Sequence, residues 1–310
     1  IRARGGSRGA SFAMAMLNSN KHGIALNLKS DEGKVVFRDL AKQADLVLEN
    51  FAPGVMDRLG LGADSLQADN PRLIYASSTG YGLSGPSSNG LAMDLTIQAA
   101  SGVMSINGPA DGPPLKTGLA ICDFYGGIHL YAGIMTALYE RSVTGVGRKV
   151  EISMQEATYP ALATNLTRMH NLGGVQPDRR GNSHPAGTSA PYNVYEANDG
   201  HVAIICVKEY HWERLRDLMG RGDLEQDPRF VDQATRGNHA EVVDEAVSAW
   251  TSTRTKADIT EALREHRVPV APVRELPEVN ADAHMRERGM LFDVDHPEFG
   301  NVVLPHSPLR

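Results

Sequence analysis

Asp123 is the residue whose type and surroundings best suit covalent chemistry. It lies in the run KTGLAICDFYGGIH, after a short apolar segment and just before Gly126 and Gly127. A carboxylate can act as a nucleophile, and glycines leave room for a ligand beside it. The alternative is that Asp123 is a helix N-cap that accepts hydrogen bonds from first-turn amides. The local pattern leaves both roles open and by itself favours the N-cap, which is the commoner of the two.

The segments on either side of Asp123 predict a strand-to-helix junction. Residues 119–122 are apolar and predict a short strand, and a helix follows until residues 144–147 end it. The residues expected on the buried face of this helix recur every three or four positions: Phe124, Ile128, Tyr131, Ile134, Met135 and Leu138. The run is long enough to suggest a membrane span, but Asp123 and His129 lie inside it, so a buried core helix is the better interpretation.

The first half of the chain alternates predicted strands with predicted helices. The strands are expected at residues 23–28, 45–50, 72–78 and 148–154, and the helices at residues 31–43, 53–60 and 94–102. Ser30 or Asp31 is the expected cap of the first of these helices, with Val35, Val36 and Leu40 facing inward. This alternation predicts an α/β fold, a Rossmann-like parallel sheet covered by helices on both faces.

Ligands of such sheets bind beyond the carboxyl ends of the strands. This rule selects Leu28 and Lys29, Asn50 and Phe51, residues 78–81, and Asp123 as one rim. Each of these residues taken alone could equally be an ordinary turn residue. Their convergence at one edge of a sheet is therefore the prediction to test.

A second, smaller α+β domain is predicted in the C-terminal half. Residues 155–172 read as a helix kinked at Pro160, and residues 173–191 form a polar loop rich in glycine and proline. The predicted division is a large domain at residues 1–172, a linker or lid at 173–191 and a small domain at 192–310. A hairpin around residues 198–200, helices at 210–219, 240–253 and 256–265, an extended segment at 268–273 and strands at 291–294 and 302–304 make up the small domain. His184 in the loop is either a substrate contact or a solvated loop residue.

Composition excludes several classes of function. Lys and Arg total 31 against 37 Asp and Glu, so there is no basic surface of the kind that nucleic acid requires. Two cysteines, Cys122 and Cys206, are too few for a disulfide framework, and no Cys/His spacing suggests a metal site. No signal peptide is recognisable, so a reducing, cytoplasmic location is expected. The glycine run at residues 5–9 matches no phosphate-loop spacing and is interpreted as a loop.

Several segments in order resemble one family, the class III coenzyme A transferases, of the formyl-CoA transferase and carnitine CoA-transferase type. The similarity runs from about Asn20 to the C-terminus. The segments are NKHGIALNLKSDEG, DLVLENFAPGVMDRLGLG, NPRLIYASSTGYGLSGP, QAASGVMSINGPADGPPLKTGLAICDFYGGIH, TGVGRKVEISMQEA and APYNVYEANDGHVAI. The resemblance implies that Asp123 is the family's nucleophilic aspartate, which overturns the N-cap interpretation.

The resemblance also implies the chemistry and the ligand. Asp123 would attack an acyl-CoA thioester, pass through a mixed anhydride and an aspartyl-CoA thioester, and deliver CoA to a carboxylic acid. Backbone amides near Gly126 and Gly127 are expected to stabilise the oxyanions. CoA is a substrate here, and no permanently bound cofactor is expected. The residues implied to contact CoA are Leu26, Asn27, Leu28, Lys29, Asn50, Phe51, Ala52, Arg58, Gly90, Leu91, Ala92 and Met93.

Rival functions make different demands on the same residues. An α-methylacyl-CoA racemase of the same fold carries a histidine base where this chain has Met93, which cannot transfer a proton. A non-catalytic acyl-CoA-binding protein would keep the Arg58 rim without needing Asp123. A nicotinamide dehydrogenase would need a glycine fingerprint that the chain lacks.

The resemblance carries two expectations about assembly. The family forms an interlocked homodimer, and a homodimer is expected here with no nucleic-acid or membrane partner. The family's opening strand–helix–strand unit would precede Ile1, and its C-terminal return would follow Arg310, so residues 1–310 are expected to be part of a longer protein. The family's glycine-rich lid is not recognisable, and residues 173–187 occupy that region. The acid substrate is left open.

Overall fold

The computed structural model describes residues 11–309, so the glycine run at residues 5–9 lies outside the described part of the chain. Contacts within the chain define one compact unit, Leu26–Val270, and group the segments on either side of it into another. The boundary predicted at residues 173–191 falls inside the Leu26–Val270 unit. Its buried apolar side chains nevertheless form separate clusters before and after this loop, and the boundary stays a prediction.

The helices within the described residues follow the chain in this order: α1 (Phe12–Asn18), α2 (Asp31–Gln43), α3 (Val55–Arg58), α4 (Ala63–Asp69), α5 (Asp94–Ala100), α6 (Val103–Ile106), α7 (Ile121–Thr144), α8 (Met154–Thr158), α9 (Ala163–Asn171), α10 (Glu209–Leu218), α11 (Gln233–Asn238), α12 (Ala240–Thr251), α13 (Lys256–Glu265), α14 (Leu276–Asn280) and α15 (Ala283–Glu287). The strands are β1 (Leu46–Glu49), β2 (Ile74–Thr79), β3 (Lys149–Ser153), β4 (Tyr192–Ala197), β5 (Gly200–Ile205), β6 (Val270–Pro272), β7 (Leu291–His296) and β8 (Gly300–Pro305). Short 3-10 turns lie at Tyr159–Leu162, Gly222–Gln226 and Pro228–Phe230.

A parallel sheet of β1, β2 and β3, in that order, lies at the centre of the first half. Leu46 pairs with Ile74, and Tyr75 pairs with Lys149. The middle strand is buried, as expected for a parallel sheet covered by helices. The α/β prediction is therefore confirmed at the level of a parallel sheet with helices.

Two predicted strands are wrong. Residues 23–27 belong to no strand, because within the described residues no neighbouring strand forms a ladder with them. Residues 119 and 120 are likewise not a strand, and α7 begins at Ile121. An apolar run is compatible with a strand, but only a partner supplies the hydrogen bonds that make one.

The buried face of α2 also differs from the prediction. Ser30 caps this helix as expected, and its hydroxyl accepts from the Gly33 N–H. Val35, Val36 and Leu40 are nevertheless exposed, while Gly33 and Ala41 are buried. The face that packs inward carries Gly33, Phe37 and Ala41, and the three aliphatic side chains that were expected there are left on the surface.

Helix α7 buries only part of the face that was predicted. Phe124, Ile128, Tyr131 and Met135 are exposed, whereas Ile134 is buried and Leu138 packs against the same apolar cluster, both as expected. The residues buried along α7 are Cys122, Gly126, Leu130, Ile134, Ala137 and Arg141. A Cβ atom at Gly133 would lie 2.9 Å from Val150 Cγ1, so the helix approaches the sheet too closely for a side chain at that position. Close approach therefore requires glycine at position 133, although the buried face of α7 as a whole mixes small residues with Leu130 and Ile134.

The second half confirms most of the local predictions. The helix predicted at residues 155–172 forms α8 and α9 with a 3-10 turn containing Pro160 between them. Strands β4 and β5 form an antiparallel hairpin in which Tyr192 pairs with Ile205. Thr255 caps α13, because its hydroxyl accepts from the Asp258 N–H at 3.1 Å. Side chains from residues 190–268 build one apolar cluster around this sheet.

The segments on either side of the Leu26–Val270 unit contain the last predicted strands. Strands β7 and β8 form an antiparallel hairpin, with Leu291 paired to Pro305. In the same unit the rings of Phe12 and Phe299 meet edge to face at 5.8 Å. Across residues 11–309, α7 included, every helix is too short or too polar to cross a bilayer.

Candidate active site

Asp123 is the third residue of α7, and its side chain is exposed. The helix begins after Ala120, which provides no side-chain cap. Asp123 is therefore not at a strand-to-helix junction, and it is not the N-cap of α7. Both predictions about its position in the secondary structure are wrong. What the structure leaves is a solvent-facing carboxylate in the first turn of a helix, with no hydrogen bond from its own side chain to another described residue.

Asp94 supplies the missing cap of α7. Its Oδ1 atom accepts from the Cys122 N–H at 2.9 Å and from the Asp123 N–H at 3.4 Å. These are first-turn amides without partners inside the helix, and a carboxylate is their most favourable acceptor. Sequence reasoning missed this role, although Asp94 at the start of a predicted helix was a visible signal. The side chain that fixes the backbone of Asp123 thus comes from α5.

The side chain of Gln98 fixes the position of the Asp94 carboxylate. It is fully buried on α5, and its Nε2 atom donates to Asp94 Oδ2 at 2.7 Å and to the Leu119 carbonyl at 3.3 Å. Its Oε1 atom accepts from the Thr117 N–H at 2.9 Å. Every polar atom of this amide is paired, as a buried polar network requires. The segment that leads into α7 is therefore fixed on the same two side chains as the helix itself.

The two carboxylates act on each other electrostatically. Partial burial raises the pKa of Asp123 above its ordinary value, and the negative charge of Asp94 raises it further. The neighbouring Cys122 thiol is buried, and burial raises its pKa as well, so it stays a thiol near neutral pH. Asp123 is consequently the better nucleophile of this adjacent pair, and its reactivity depends on pH.

Asp94→Asn is expected to move the acid limb of the kcat/KM profile to lower pH. Only the ionised Asp123 attacks, so activity falls as pH falls through its pKa, and the Asp94 charge places that fall at higher pH. Removing the charge lowers the pKa of Asp123 and extends activity toward acid. A pH–rate profile measures the shift, with the exposed Glu261→Gln as the control that leaves the profile unchanged. An unmoved acid limb in Asp94→Asn would contradict this coupling.

The expected oxyanion role of Gly126 and Gly127 is wrong. Both residues lie inside α7, where each N–H bonds to the carbonyl four residues earlier. Gly126 serves close packing instead, because a Cβ there would lie 3.2 Å from Met154 Cγ and 3.6 Å from Ser78 Oγ. This contact places the first turns of α7 beside the carboxyl end of β2.

Residues 90–93 cross the same end of β2. A Cβ atom on Gly80 would lie 2.0 Å from the Ala92 Cβ, so this approach requires glycine at position 80. Leu91 and Met93 are largely exposed, and Met93 directly precedes α5. The segment therefore brings Asp94 to Asp123 and leaves apolar side chains facing solvent beside them. The thioether of Met93 has no proton to transfer at this position.

The other residues of the predicted rim belong to a second candidate patch. Asn50, Phe51 and Ala52 follow the carboxyl end of β1 and are exposed. Leu28 packs against the apolar cluster that contains Val47 of β1 and Met56 of α3. Leu28 thus reaches the cluster shared by β1 and α3 although residues 23–27 form no strand, and both the common rim and its role as a CoA contact stay predictions.

Arg58 and Lys29 supply the positive charge of this patch. The Arg58 side chain is exposed and lies over Gly54, with Nη1 3.0 Å from where a Cβ would be. Within the described residues, neither Arg58 nor Lys29 forms an ion pair through its side chain. Uncommitted cations beside an exposed apolar residue such as Phe51 suit a phosphate-bearing nucleotide.

Comparisons with known proteins agree on one family. The family model for CoA-transferase family III matches residues 2–310. The chain is 35% identical over 301 residues to an acetyl-CoA:oxalate CoA-transferase of Acetobacter aceti, covering 97% of this chain and 75% of that one. It is 36% identical over 301 residues to a succinyl-CoA:mesaconate CoA-transferase of Haloarcula hispanica, covering 95% and 74%. A solved CAIB/BAIF family protein from Brucella suis superimposes with a TM-score of 0.80 at 31% identity, covering 93% of this chain and 74% of that one.

Proposed function

The chain belongs to CoA-transferase family III and is a class III CoA-transferase, and within that class we propose that Asp123 carries the CoA as an aspartyl thioester between donor and acceptor. The observation that supports this most directly is the exposed Asp123 carboxylate on a backbone fixed by Asp94. Its side-chain oxygens form no hydrogen bond to the described residues, so they remain available to a substrate. A nucleophile needs this combination of fixed backbone and free reacting atoms.

The reaction proceeds by exchange at acyl carbons. A carboxylate oxygen of Asp123 attacks the thioester carbonyl, the C–S bond breaks, and CoA thiolate leaves a mixed anhydride behind. The thiolate then attacks the Asp123 carbonyl, which releases the donor acid and forms aspartyl-CoA. No electrons are transferred, and CoA enters and leaves as a substrate. Dividing the exchange in this way replaces one difficult step by several of comparable barrier.

The second half of the cycle delivers CoA to the acceptor. The acceptor carboxylate attacks aspartyl-CoA, expels the thiolate and forms a second anhydride with Asp123. The thiolate attacks the acceptor carbonyl and restores the free Asp123 carboxylate. Oxalate and mesaconate, the acids in the names of the two relatives above, are both dicarboxylates. We therefore propose a dicarboxylic acid as the acceptor class.

CoA occupies the rim in this proposal. The phosphates lie near Lys29 and Arg58, and the pantetheine passes toward Asp123 over residues 90–93. Exposure of Phe51 and Leu91 supports this path, since both present apolar surface to solvent. Racemase chemistry is not proposed, because the position that would need a base carries Met93.

Incubation with acyl-CoA donors and a panel of carboxylic acids tests the proposed function. Mass spectrometry of the products is expected to detect a new acyl-CoA of the acceptor together with the free donor acid. Donor hydrolysis without a new thioester, for every acid tried, would overturn it. Deuterium entering the α-carbon of a 2-methylacyl-CoA in heavy water would point to the racemase instead.

Arg58→Ala is expected to raise KM for the donor by about 10- to 100-fold while kcat changes little. A charge-assisted bond to a phosphate contributes about 1.5–3 kcal/mol, and it is equally strong before and during the reaction. Steady-state kinetics with varied donor measure the effect. Arg221→Ala is the matched control, because Arg221 pairs with Asp223 on an exposed turn away from the rim. An unchanged donor KM in Arg58→Ala would place the phosphates elsewhere.

We further propose that the protein is a homodimer. The apolar side chains left exposed on α2 and α7 support this, because contiguous apolar surface of this kind marks protein interfaces. They are Val35, Val36, Leu40, Phe124, Ile128, Tyr131, Met135, Tyr139 and Val143. Light scattering after size exclusion is expected to give twice the subunit mass, and Ile128→Glu to shift the mass toward one subunit. A monomeric wild-type protein would contradict the proposal.

A further inference from the structure

Arg180 is a charged side chain to which the proposed reaction assigns no role. It lies in the segment 178–187, named here the Arg180 loop. Its Nε atom is buried without a hydrogen-bond partner, and within residues 11–309 its guanidinium forms neither a hydrogen bond nor an ion pair. A buried donor without a partner is costly and rare in folded proteins. Such a donor indicates that something outside the described residues satisfies it.

Two neighbouring arginines, unlike Arg180, have hydrogen-bond partners for their guanidinium groups. Arg168 Nη1 donates to the carbonyls of Asp178 and Pro185 at 3.1 and 3.4 Å. Arg179 donates through Nε to the Pro109 carbonyl at 3.2 Å and through Nη2 to the Gly112 carbonyl. These two side chains hold the loop in shape. Arg180 has no comparable structural role.

The surroundings of Arg180 supply further donors. Its guanidinium lies over Gly187, where a Cβ would be 3.0 Å from Nη1 and 3.1 Å from Cζ. His184 lies close enough for the charge of Arg180, together with burial, to lower the pKa of its imidazole. The His184 Nδ1 atom accepts from the Ala186 N–H at 3.2 Å, so in the neutral ring Nε2 carries the hydrogen. A guanidinium that forms no ion pair within the described residues, with an N–H donor near it, suits an anion.

The Arg180 loop is joined to the reacting carboxylate by an unbroken series of contacts. The Gly181 N–H donates to the Gly108 carbonyl at 3.2 Å, and Arg179 holds the same turn at residues 109–112. That turn runs into Thr117, whose N–H is bound by Gln98, and Gln98 binds Asp94 beneath Asp123. The anion site and the nucleophile are therefore parts of one hydrogen-bonded frame.

A dicarboxylate acceptor would be repelled by the negative charges of Asp94 and Asp123, and the positive charge of Arg180 can offset this repulsion. Asp94 and Asp123 already place two carboxylates side by side. A dianion approaching them is repelled unless its second carboxylate is neutralised. A guanidinium binds a carboxylate through two parallel hydrogen bonds, which fixes orientation as well as charge.

Resting on the proposed function, we propose that Arg180, with the Nε2–H of His184, binds the non-reacting carboxylate of a dicarboxylic acceptor. The other carboxylate then attacks the acyl carbon of aspartyl-CoA, with CoA thiolate as the leaving group. The carboxylate held by Arg180 forms and breaks no covalent bond. Arg180 thereby selects dicarboxylic over monocarboxylic acids.

The test compares matched acceptors in wild type, Arg180→Met and Arg180→Lys. Succinate is paired with butyrate, and fumarate with crotonate, at a fixed saturating donor. Arg180→Met is expected to lower kcat/KM for the dicarboxylates by about 10- to 100-fold, the effect of one charge-assisted pair, and to change the monocarboxylate values less than about threefold. Arg180→Lys keeps the charge and is expected to recover part of the loss. Arg221→Met, on its exposed turn, is the control.

A donor-only measurement separates this inference from the proposed function. Hydroxylamine traps the activated Asp123 without any acceptor, and its rate and donor KM are expected to be unchanged in Arg180→Met. A raised donor KM would assign the cation to a CoA phosphate and overturn the inference. Equal losses for mono- and dicarboxylates, or a wild type that accepts only monocarboxylates, would overturn it too. If wild type gave neither hydroxamate nor transfer, the proposed function itself would fail.

Discussion

Asp123→Asn is expected to abolish CoA transfer, with a loss of at least about 10³- to 10⁴-fold, the scale found when a covalent nucleophile is removed. An amide cannot form the anhydride or the aspartyl thioester. The variant keeps the size of the side chain and breaks no hydrogen bond, because the Asp123 side chain has none to other described residues. Transfer between an acyl-CoA and an acid, followed by mass spectrometry, measures the loss.

The folded state of this variant is expected to be at least as stable as wild type at neutral pH. The pKa of Asp123 is raised in the folded protein, so the folded state favours the protonated form. Its contribution to stability is therefore largest at low pH and is lost as pH rises through the ordinary aspartate range toward the folded pKa. A neutral amide avoids this loss. Thermal unfolding at neutral pH checks it, and a large drop in Tm would make the activity loss structural.

Hydroxylamine trapping distinguishes the covalent role from simple binding. With donor thioester present, wild type is expected to accumulate a hydroxamate at Asp123, found by peptide mass mapping, and the Asn variant none. The adjacent Cys122 provides an internal comparison, because a buried thiol with a raised pKa is expected to stay unmodified. Turnover by Asp123→Asn at the wild-type rate would remove Asp123 from the mechanism.

Arg236→Leu is expected to lower the free energy of unfolding by about 2–6 kcal/mol, because each of two carbonyls left without a donor costs about 1–3 kcal/mol. Arg236 is fully buried on α11 and lies 5.3 Å from the centre of the Trp212 ring. It donates to the Phe230 carbonyl at 3.0 Å, the Ala190 carbonyl at 3.3 Å and Glu209 Oε2 at 2.8 Å. Leucine leaves two carbonyls without a donor in a closed interior.

Urea unfolding of the two variants Arg236→Leu and Arg229→Leu measures this cost. Arg229 lies nearby but pairs with Asp227 on the surface, so its removal is expected to change the midpoint little. Arg236→Lys is expected to recover only part of the loss, because one ammonium cannot reach three acceptors in the directions of the guanidinium fork. Equal midpoints for Arg236→Leu and Arg229→Leu would show that burial of this charge contributes no net stability.

Arg236 also bears on the site proposed for the acceptor. Its bond to Ala190 fixes the chain directly after the loop that carries Arg180 and His184. The loop is thus held at its far end by a buried arginine and along its length by Arg168 and Arg179.

The sequence alone was sufficient to predict those features that depend on residues close together in the chain. The cap by Ser30, the cap by Thr255, the interruption of the helix at Pro160 and the hairpin between β4 and β5 were all predicted. Each rests on interactions within a few residues, which the sequence specifies directly.

Only the tertiary structure decided what depends on partners far along the chain. It placed Asp94 of α5 as the cap of α7, left Phe124 and Ile128 of α7 on the surface, and left residues 23–27 outside any strand. Apolar residues recur along more than one face of α7, so their spacing does not show which face is buried. The face that packs on the sheet is the one on which Gly133 lies close to Val150. Sequence periodicity defines which residues share a face, whereas the distance to the neighbouring element determines which face is buried.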